Sequence, residues 1–482
     1  MIRSVPVRRA VLPVALALTA AVGTAPPAHA ATGAAADELV DAYRSAYDTP
    51  GIAVAVIDGS TVETAVRGHD GDGAAVTPAT RFRIASMSKP MTAAAVMLLV
   101  EQGEFTLDAP VVDVLPEFTM DDPRFRGITV RQLLDHTSGL SVSTNNEYVF
   151  PPPRSAADVV AELADKELAA DPGEQWEYHN TNYSVAARIV EAVADEPFDD
   201  FLAEELFTPL GMDDTTATEG CADPAPGLAS GYEVVLGVAV AAPEMPGRCV
   251  GNGGVVSTLE DMVRWVRFNQ GALGSDLLSE ESLEEMHTAQ PGAGESGLGW
   301  EVRPAPAGGD GPLVAHGGTL ATWTGDMAFS PASGTAAVVL TNGVGAPALL
   351  TTNLLAERAG AETTPVGNPM NIVNAVLLGL TLLAGTLLTT AVVRAPRWAL
   401  RRREARRPRV VLRLVPLGLV TVLGLFLPTL IGVQGGSFSF QYWIVAAWLM
   451  PLLAVFSLVC LVLGTAALAR RIRCLRRARW TP

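Results

Sequence analysis

Ser86 and Lys89 stand three residues apart in Arg83-Ile84-Ala85-Ser86-Met87-Ser88-Lys89, just ahead of an apolar run from Met91 to Val100. Residues three apart on a helix share a face, so the Ser86 hydroxyl and the Lys89 amine are predicted to point into one small volume. A hydroxyl is a poor nucleophile until a neighbour takes its proton. A desolvated lysine can be that base, or can tune another one. Taken alone, the spacing arises by chance in a chain of this length. Composition gives it weight: the chain has only two lysines, Lys89 and Lys166, and uses arginine for nearly every other cation. Arginine does not release its proton at any working pH. A lysine here therefore favours proton chemistry over a surface role.

Two further stretches carry polar groups suited to the same chemistry. Gly173 to Tyr183 places Tyr178 and Asn180 just before a predicted helix. A phenol near Lys89 could be held as phenolate and act as general base, and a carboxamide can orient a substrate amide or the lysine. An N-cap asparagine and a packed tyrosine are the plain alternatives. Val314-Ala315-His316-Gly317-Gly318-Thr319 ends a predicted strand in glycines, where a substrate could lie along the strand edge and a backbone N–H could face an oxyanion. His136, in His136-Thr137-Ser138-Gly139-Leu140, reads as a structural histidine at a helix C-terminus capped by Gly139.

These groups need a scaffold. The apolar run after Lys89 predicts a helix buried on every side, with Pro90 in its first turn and Gly103 as its stop. Helical periodicity also marks 36–47, 129–134, 156–168, 184–193, 259–268 and 348–358. Strand signals fall at 52–57 and 62–66, joined across Asp58-Gly59-Ser60, and late in the chain at 299–302, 313–316, 322–329 and 335–340. Strands at both ends with helices between them predict an α/β (α+β) architecture: one antiparallel sheet flanked by helices, with an inserted helical subdomain.

Beyond this region the chain changes character. Residues 1–30 look like a secretory signal, with Arg3, Arg8 and Arg9, the apolar stretch Ala10 to Val22, and Ala28-His29-Ala30 as a cleavage site. Residues 363–370 form a short polar linker. Three uncharged runs follow within 371–469, namely 371–393, 414–433 and 442–469, each long enough to cross a hydrocarbon core of about 30 Å. An arginine-rich loop, 394–413, and a basic tail, 470–482, are predicted to stay in the cytoplasm. That puts residues 31–362 outside and makes the chain a multi-pass integral membrane protein. Fifteen arginines against one acid beyond Asn371 give +14, so the overall charge of −17 hides about −34 in residues 31–370. So acidic a body repels polyanions and excludes nucleic acid as a partner. Cys221 and Cys249 lie in the exported part, where a disulfide between them would persist, whereas Cys460 and Cys474 do not. No Cys/His spacing suggests a metal, and no cofactor is implied.

In order and spacing, Ile84-Ala85-Ser86-Met87-Ser88-Lys89, Tyr178-His179-Asn180 and His316-Gly317-Gly318 resemble the penicillin-recognising serine hydrolases, specifically the class C β-lactamase-like family with its D-stereospecific peptidases and esterases. Supporting phrases are His136 to Leu140, Leu210-Gly211-Met212 and Gly253 to Thr258, and the resemblance covers about 36 to 360. It implies a β-lactamase/transpeptidase-like fold, Ser86 as the acylated nucleophile, Lys89 and Tyr178 sharing the proton transfers, and Asn180 orienting the substrate. It also implies that the N–H groups of Ser86 and Thr319 hold the oxyanion beside His316 and Gly318. Those lactamases carry lysine where this chain has His316, a weaker partner for a substrate carboxylate. The expectation is a membrane-anchored extracytoplasmic serine hydrolase acting on a small-molecule or peptide substrate, an ester or a D-amino-acid amide, rather than a strong β-lactamase. The alternatives are an acylatable penicillin-binding sensor and a non-catalytic cell-envelope scaffold.

Overall fold

A computed structural model describes residues 29–306, 308–309, 311–430 and 440–480. The expected signal segment falls almost wholly outside these residues, as does most of the uncharged connection 434–441. Seven strands build the main sheet: β1 (His29–Ala31), β2 (Gly51–Asp58), β3 (Thr61–Gly68), β4 (Glu301–Arg303), β5 (Leu313–Thr319), β6 (Thr324–Phe329) and β7 (Thr335–Thr341). Their order is β1-β3-β2-β7-β6-β5-β4, antiparallel throughout except for the parallel pair β1–β3. β2 pairs with β7 from Ile52↔Thr341 to Asp58↔Thr335, so an early strand and a late one close the sheet. That is the antiparallel architecture expected; the short β1 was not anticipated.

Successive strand residues point to opposite faces, and both faces are covered. Ala53, Ala55, Ile57, Met327, Phe329, Val338 and Leu340 pack into one core with the helices Lys89–Glu101, Thr181–Ala194 and Leu259–Asn269. Ile52, Val54, Val56, Ala328, Ala337 and Val339 face the other way, against the helices Ala34–Tyr47 and Pro347–Arg358. Burial on both sides explains why β2 reads as an unbroken apolar run rather than an alternating one. Each large aliphatic chain so buried contributes about 1.5–3 kcal/mol.

Three elements depart from the sequence reading. The 156–168 helix is short, Ala156–Ala161, opened by a Ser155/Asp158 capping box and giving way to turns. The chain also forms an unforeseen hairpin, Gly231–Val235 with Val238–Ala242. Its turn uses Leu236 and Gly237, both at positive φ, and the leucine carries no hairpin signal. Finally, the run 442–469 is not one helix. It breaks at Met450 into Tyr442–Leu449 and Pro451–Trp480, because a proline ring disfavours helical backbone in the residue before it. Among the described residues three helices are long and apolar enough to cross a membrane: Pro369–Val393, Arg407–Phe426 and Pro451–Ala478. The second begins earlier than expected and carries Arg407, Arg409 and Arg413 in its first turns.

Candidate active site

The nucleophile candidate does not sit on the long helix. Residues Ala85–Ser88 form a separate 3₁₀ turn, and the helix starts at Lys89 with Pro90 in its first turn. In a 3₁₀ turn the side chains at i and i+3 eclipse. Lys89 therefore stands over Ser86, with Nζ 3.0 Å from Ser86 Oγ. Ala85 enters the turn in a left-handed conformation, φ +51°. That strain is held by surrounding bonds: Ser88 Oγ donates to the Ala85 carbonyl at 2.6 Å and accepts from Val255 N–H at 3.1 Å, while Ile84 N–H donates to the Val255 carbonyl.

Lys89 is completely buried. It also donates to the Asn252 carbonyl at 2.9 Å, and its Nζ lies 4.8 Å from the centre of the Tyr178 ring. Burial pulls its ammonium down to about 7, against the smaller opposing pull of Glu147 and Glu301. At pH 7 such an amine is divided between its charged and free forms, so the free base is available without strong alkali.

Tyr178 keeps 37% of its surface exposed but turns its hydroxyl inward to hydrogen-bond with Ser86. Its pKa moves the opposite way from a phenolate. Burial pushes it well above the ordinary tyrosine value, and the charges of Glu147 and Glu301 add to this, so the phenol stays protonated. A phenol in that state is a hydrogen-bond donor, whereas the buried Lys89 amine is the group pushed toward its proton-accepting form. Tyr178 leans on His136, whose ring centre is 4.5 Å away. His136 also departs from expectation. The helix ends at Leu134, and His136 itself takes the left-handed backbone, φ +65°, that was assigned to Gly139 as cap. Gly139, also at positive φ, instead lets the chain pass the Ala170 carbonyl, which a Cβ would meet at 2.4 Å.

Asn180 precedes the helix Thr181–Ala194, yet its side chain makes no cap hydrogen bond. Its Nδ2 donates to Glu147 Oε2 at 3.0 Å, leaving Oδ1 buried and unpartnered. Burial raises the Glu147 carboxyl, but the bond and charge of His179, with Arg248 and the Asn180 N–H, outweigh it and hold Glu147 at about 2. Sequence reasoning missed Glu147. It reaches the site through contacts with Asn180, 33 residues away in the chain, and no local pattern marks it.

β4 pairs with β5 only as far as Ala315, so residues 316–319 present a free edge toward the Ser86 turn. The approach is tight: a Cβ on Gly318 would stand 2.2 Å from the Ile84 carbonyl oxygen. Gly318→Ala is therefore expected to push β5 off the turn and lower kcat/KM by about 10²-fold, with an unchanged far-ultraviolet circular dichroism spectrum. An active variant would show that this contact does not set the geometry. His316 is buried and bonds the Gly317 carbonyl through Nδ1 at 2.7 Å. Burial lowers its pKa to about 4, so it is neutral near pH 7. The loop after β5 is held by Glu244, which accepts from the N–H groups of Ala321 and Thr322, both at 2.9 Å.

Two cavities flank this group. One, of about 330 Å³, is lined by His136, Trp176, Tyr178, Glu301, Arg303 and His316. The other, of about 290 Å³, is lined by Ser86, Glu147, Asn180, Thr319 and the Cys221–Cys249 disulfide, among others. All seven site residues singled out from the sequence thus converge on one place, joined by Glu147, Asn252, His136 and Glu301. Among the described residues no cluster of His, Cys, Asp and Glu is suited to a metal ion.

The comparisons with known proteins agree with this geometry. A model of the Beta-lactamase family matches residues 36–361. Penicillin-binding protein 4 of Amycolatopsis lactamdurans is 32% identical over 69% of this chain and 92% of its own length. The putative penicillin-binding protein PbpX of Bacillus subtilis is 30% identical over 47% of this chain, which spans about half (55%) of that protein. Two solved structures share the fold at 24% identity. The octameric penicillin-binding protein homologue from Pyrococcus abyssi has a TM-score of 0.59 over 71% of this chain and 80% of that one. A D-stereospecific amidohydrolase from Streptomyces has a TM-score of 0.56 over 69% of this chain and 100% of that one. With the family model matching residues 36–361 and a relative 32% identical over 92% of its own length, this protein belongs to the beta-lactamase family of penicillin-binding serine hydrolases.

Proposed function

We propose that the chain is a membrane-anchored extracytoplasmic hydrolase that cleaves an ester or a D-amino-acid amide through an acyl-enzyme on Ser86. The observation that carries this reading is the Ser86–Lys89–Tyr178 cluster, with a neutral-prone amine 3.0 Å from a hydroxyl. The Lys89 amine takes the Ser86 proton as Oγ attacks the carbonyl carbon. The backbone N–H groups of Ser86 and Thr319 receive the oxyanion, a contribution of about 3 kcal/mol per donor in related acyl transfer. As the bond to the leaving group breaks, the proton returns to that group through Lys89 and the protonated Tyr178. Asn180 Oδ1 accepts an N–H from the acyl side. Water then hydrolyses the acyl-enzyme with the same groups reversed.

His316 supports the choice of substrate class. As a neutral imidazole it is a weak anchor for the carboxylate of a β-lactam, and an ester or amide without that group loses nothing by it. Residues 31–362 form the extracytoplasmic hydrolase and 363–370 the linker. The spans within 371–469 anchor it, with the arginine-rich 394–413 and 470–482 in the cytoplasm.

The test is to treat the full-length protein in membranes with a fluorescent fluorophosphonate and a fluorescent penicillin, and to map the modified peptide. Labelling at Ser86, with turnover of simple esters or D-aminoacyl amides above nitrocefin, is the expected result. Labelling in a burst without turnover of any substrate would favour a sensor. An unlabelled chain would overturn the reading.

Acid–base behaviour follows from Lys89. Below pH 7 its ammonium cannot accept a proton; above pH 7 the free amine can. On a non-ionising ester, kcat/KM is expected to rise with pH through an apparent value near 7 and then level. A flat profile from pH 5 to pH 9 would exclude Lys89 as base.

A further inference from the structure

The helix Tyr442–Leu449 lies against the mouth of the acyl cavity. Leu449 lines that cavity together with Tyr148, Phe150, Ser86 and Asn180. The Tyr442 hydroxyl reaches Asn146 Oδ1 at 3.3 Å, and its ring centre is 6.1 Å from that of Tyr148. This short apolar helix is not needed to cross a bilayer. Pro451 to Ala469 already forms a continuous uncharged helical stretch of about 28 Å at 1.5 Å per residue, close to the hydrocarbon thickness. The break at Met450 thus frees an apolar segment at the outer end of the spans. There Trp443 Nε1 donates to the Leu425 carbonyl at 3.0 Å. Tyr and Trp gather where a bilayer meets water; Tyr442, Trp443 and Trp448 fall together on this short helix, with the Tyr442 ring beside that of Tyr148, which lines the catalytic cavity.

The two cavities have different duties in the mechanism proposed above, on which this inference rests. Tyr178 lines the 330 Å³ cavity and passes the proton to the leaving group, so the leaving group departs there. The acyl half stays with Ser86 and Asn180 in the 290 Å³ cavity. That space equals about ten water volumes, enough for a short acyl head, so a longer acyl chain must extend beyond it, and Tyr148 and Leu449 are among the residues it would pass. At Leu449 and Tyr148 the cavity meets the helix Tyr442–Leu449.

We propose that the acyl half of the substrate carries a hydrocarbon chain seated in the outer leaflet and led to Ser86 between Tyr148 and Leu449. In the first step the Ser86 Oγ–acyl bond forms, the bond to the leaving oxygen or nitrogen breaks, and the leaving group takes the proton. In the second, water cleaves the acyl-serine and frees a carboxylate whose chain remains in the bilayer.

The experiment uses the full-length protein in phosphatidylcholine nanodiscs with p-nitrophenyl acetate, octanoate and dodecanoate, alongside fluorophosphonate labelling of Ser86. The expected result is a kcat/KM that rises with chain length. In Leu449→Trp, which fills the exit, the dodecanoate-to-acetate ratio is expected to fall about tenfold. Leu449→Ala widens the exit without filling it and is expected to retain at least half of the wild-type ratio. A labelled wild type with no chain-length preference, or a preference undiminished in Leu449→Trp, would overturn this inference and leave the hydrolase reading standing. A wild type that Ser86 labelling never reaches would overturn both.

Discussion

Ser86→Ala is expected to lower kcat on any substrate of this enzyme by at least 10⁴-fold and to abolish covalent labelling. The variant keeps Lys89, the oxyanion donors and both cavities, so it should bind substrate with little change in affinity. What it loses is the atom proposed to be acylated. In serine hydrolases that act through a base-coupled hydroxyl, removal of the nucleophile leaves only what positioning and the oxyanion site give over water. The fold should survive, because Ser86 Oγ is bonded to Lys89 and Tyr178 and is not part of the Ser88 bonding that holds the turn. Turnover by single-wavelength assay, checked against thermal melting, separates chemistry from folding. Unchanged labelling in Ser86→Ala would remove Ser86 from its role.

Lys89→Arg is the second large loss, expected at about 10³-fold in kcat/KM. The substitution keeps a cation at the site and removes only the capacity to give up a proton, since a guanidinium stays charged at every working pH. It also asks for more room in a fully buried position. Lys89→Met, nearly isosteric and uncharged, controls for that: it should be equally inactive and melt no lower than wild type, because burying the amine is itself unfavourable. The acid limb near pH 7 should vanish from the residual activity of both variants. A Lys89→Met enzyme with wild-type turnover would transfer the base to another group.

How much of this was legible in the residues differs by range. Ser86 and Lys89 were found because their coupling is local, and three residues of spacing survive the change from an α-turn to a 3₁₀ turn. The strands β2, β3, β6 and β7 were found because their apolar runs are flanked by turn residues. His316 to Thr319 was placed correctly at a strand end, but its free edge depends on where β4 stops, and only the register shows that. Glu147, Asn252 and Glu301 reach the site through contacts between segments far apart in the chain, and nothing beside them marks the destination. Tyr178 was legible as a member but its proton affinity was not, because burial, which raises it, is a property of the packed site. Pro451 was visible all along within an otherwise uniform apolar run, and length was allowed to outweigh it.

The Cys221–Cys249 bridge has a practical meaning for anyone producing this protein. It closes a segment of 28 residues that carries Glu244, the residue gripping the loop after β5, and both sulfurs belong to the acyl cavity's wall. Opening such a loop forfeits about 3–4 kcal/mol through the looser unfolded chain. Material folded in a reducing cytosol would keep its nucleophile and its amine while the partition beside them drifts. Export through an oxidising compartment is therefore a condition for recovering chain fit for assay, and a weak preparation should first be titrated for free thiols.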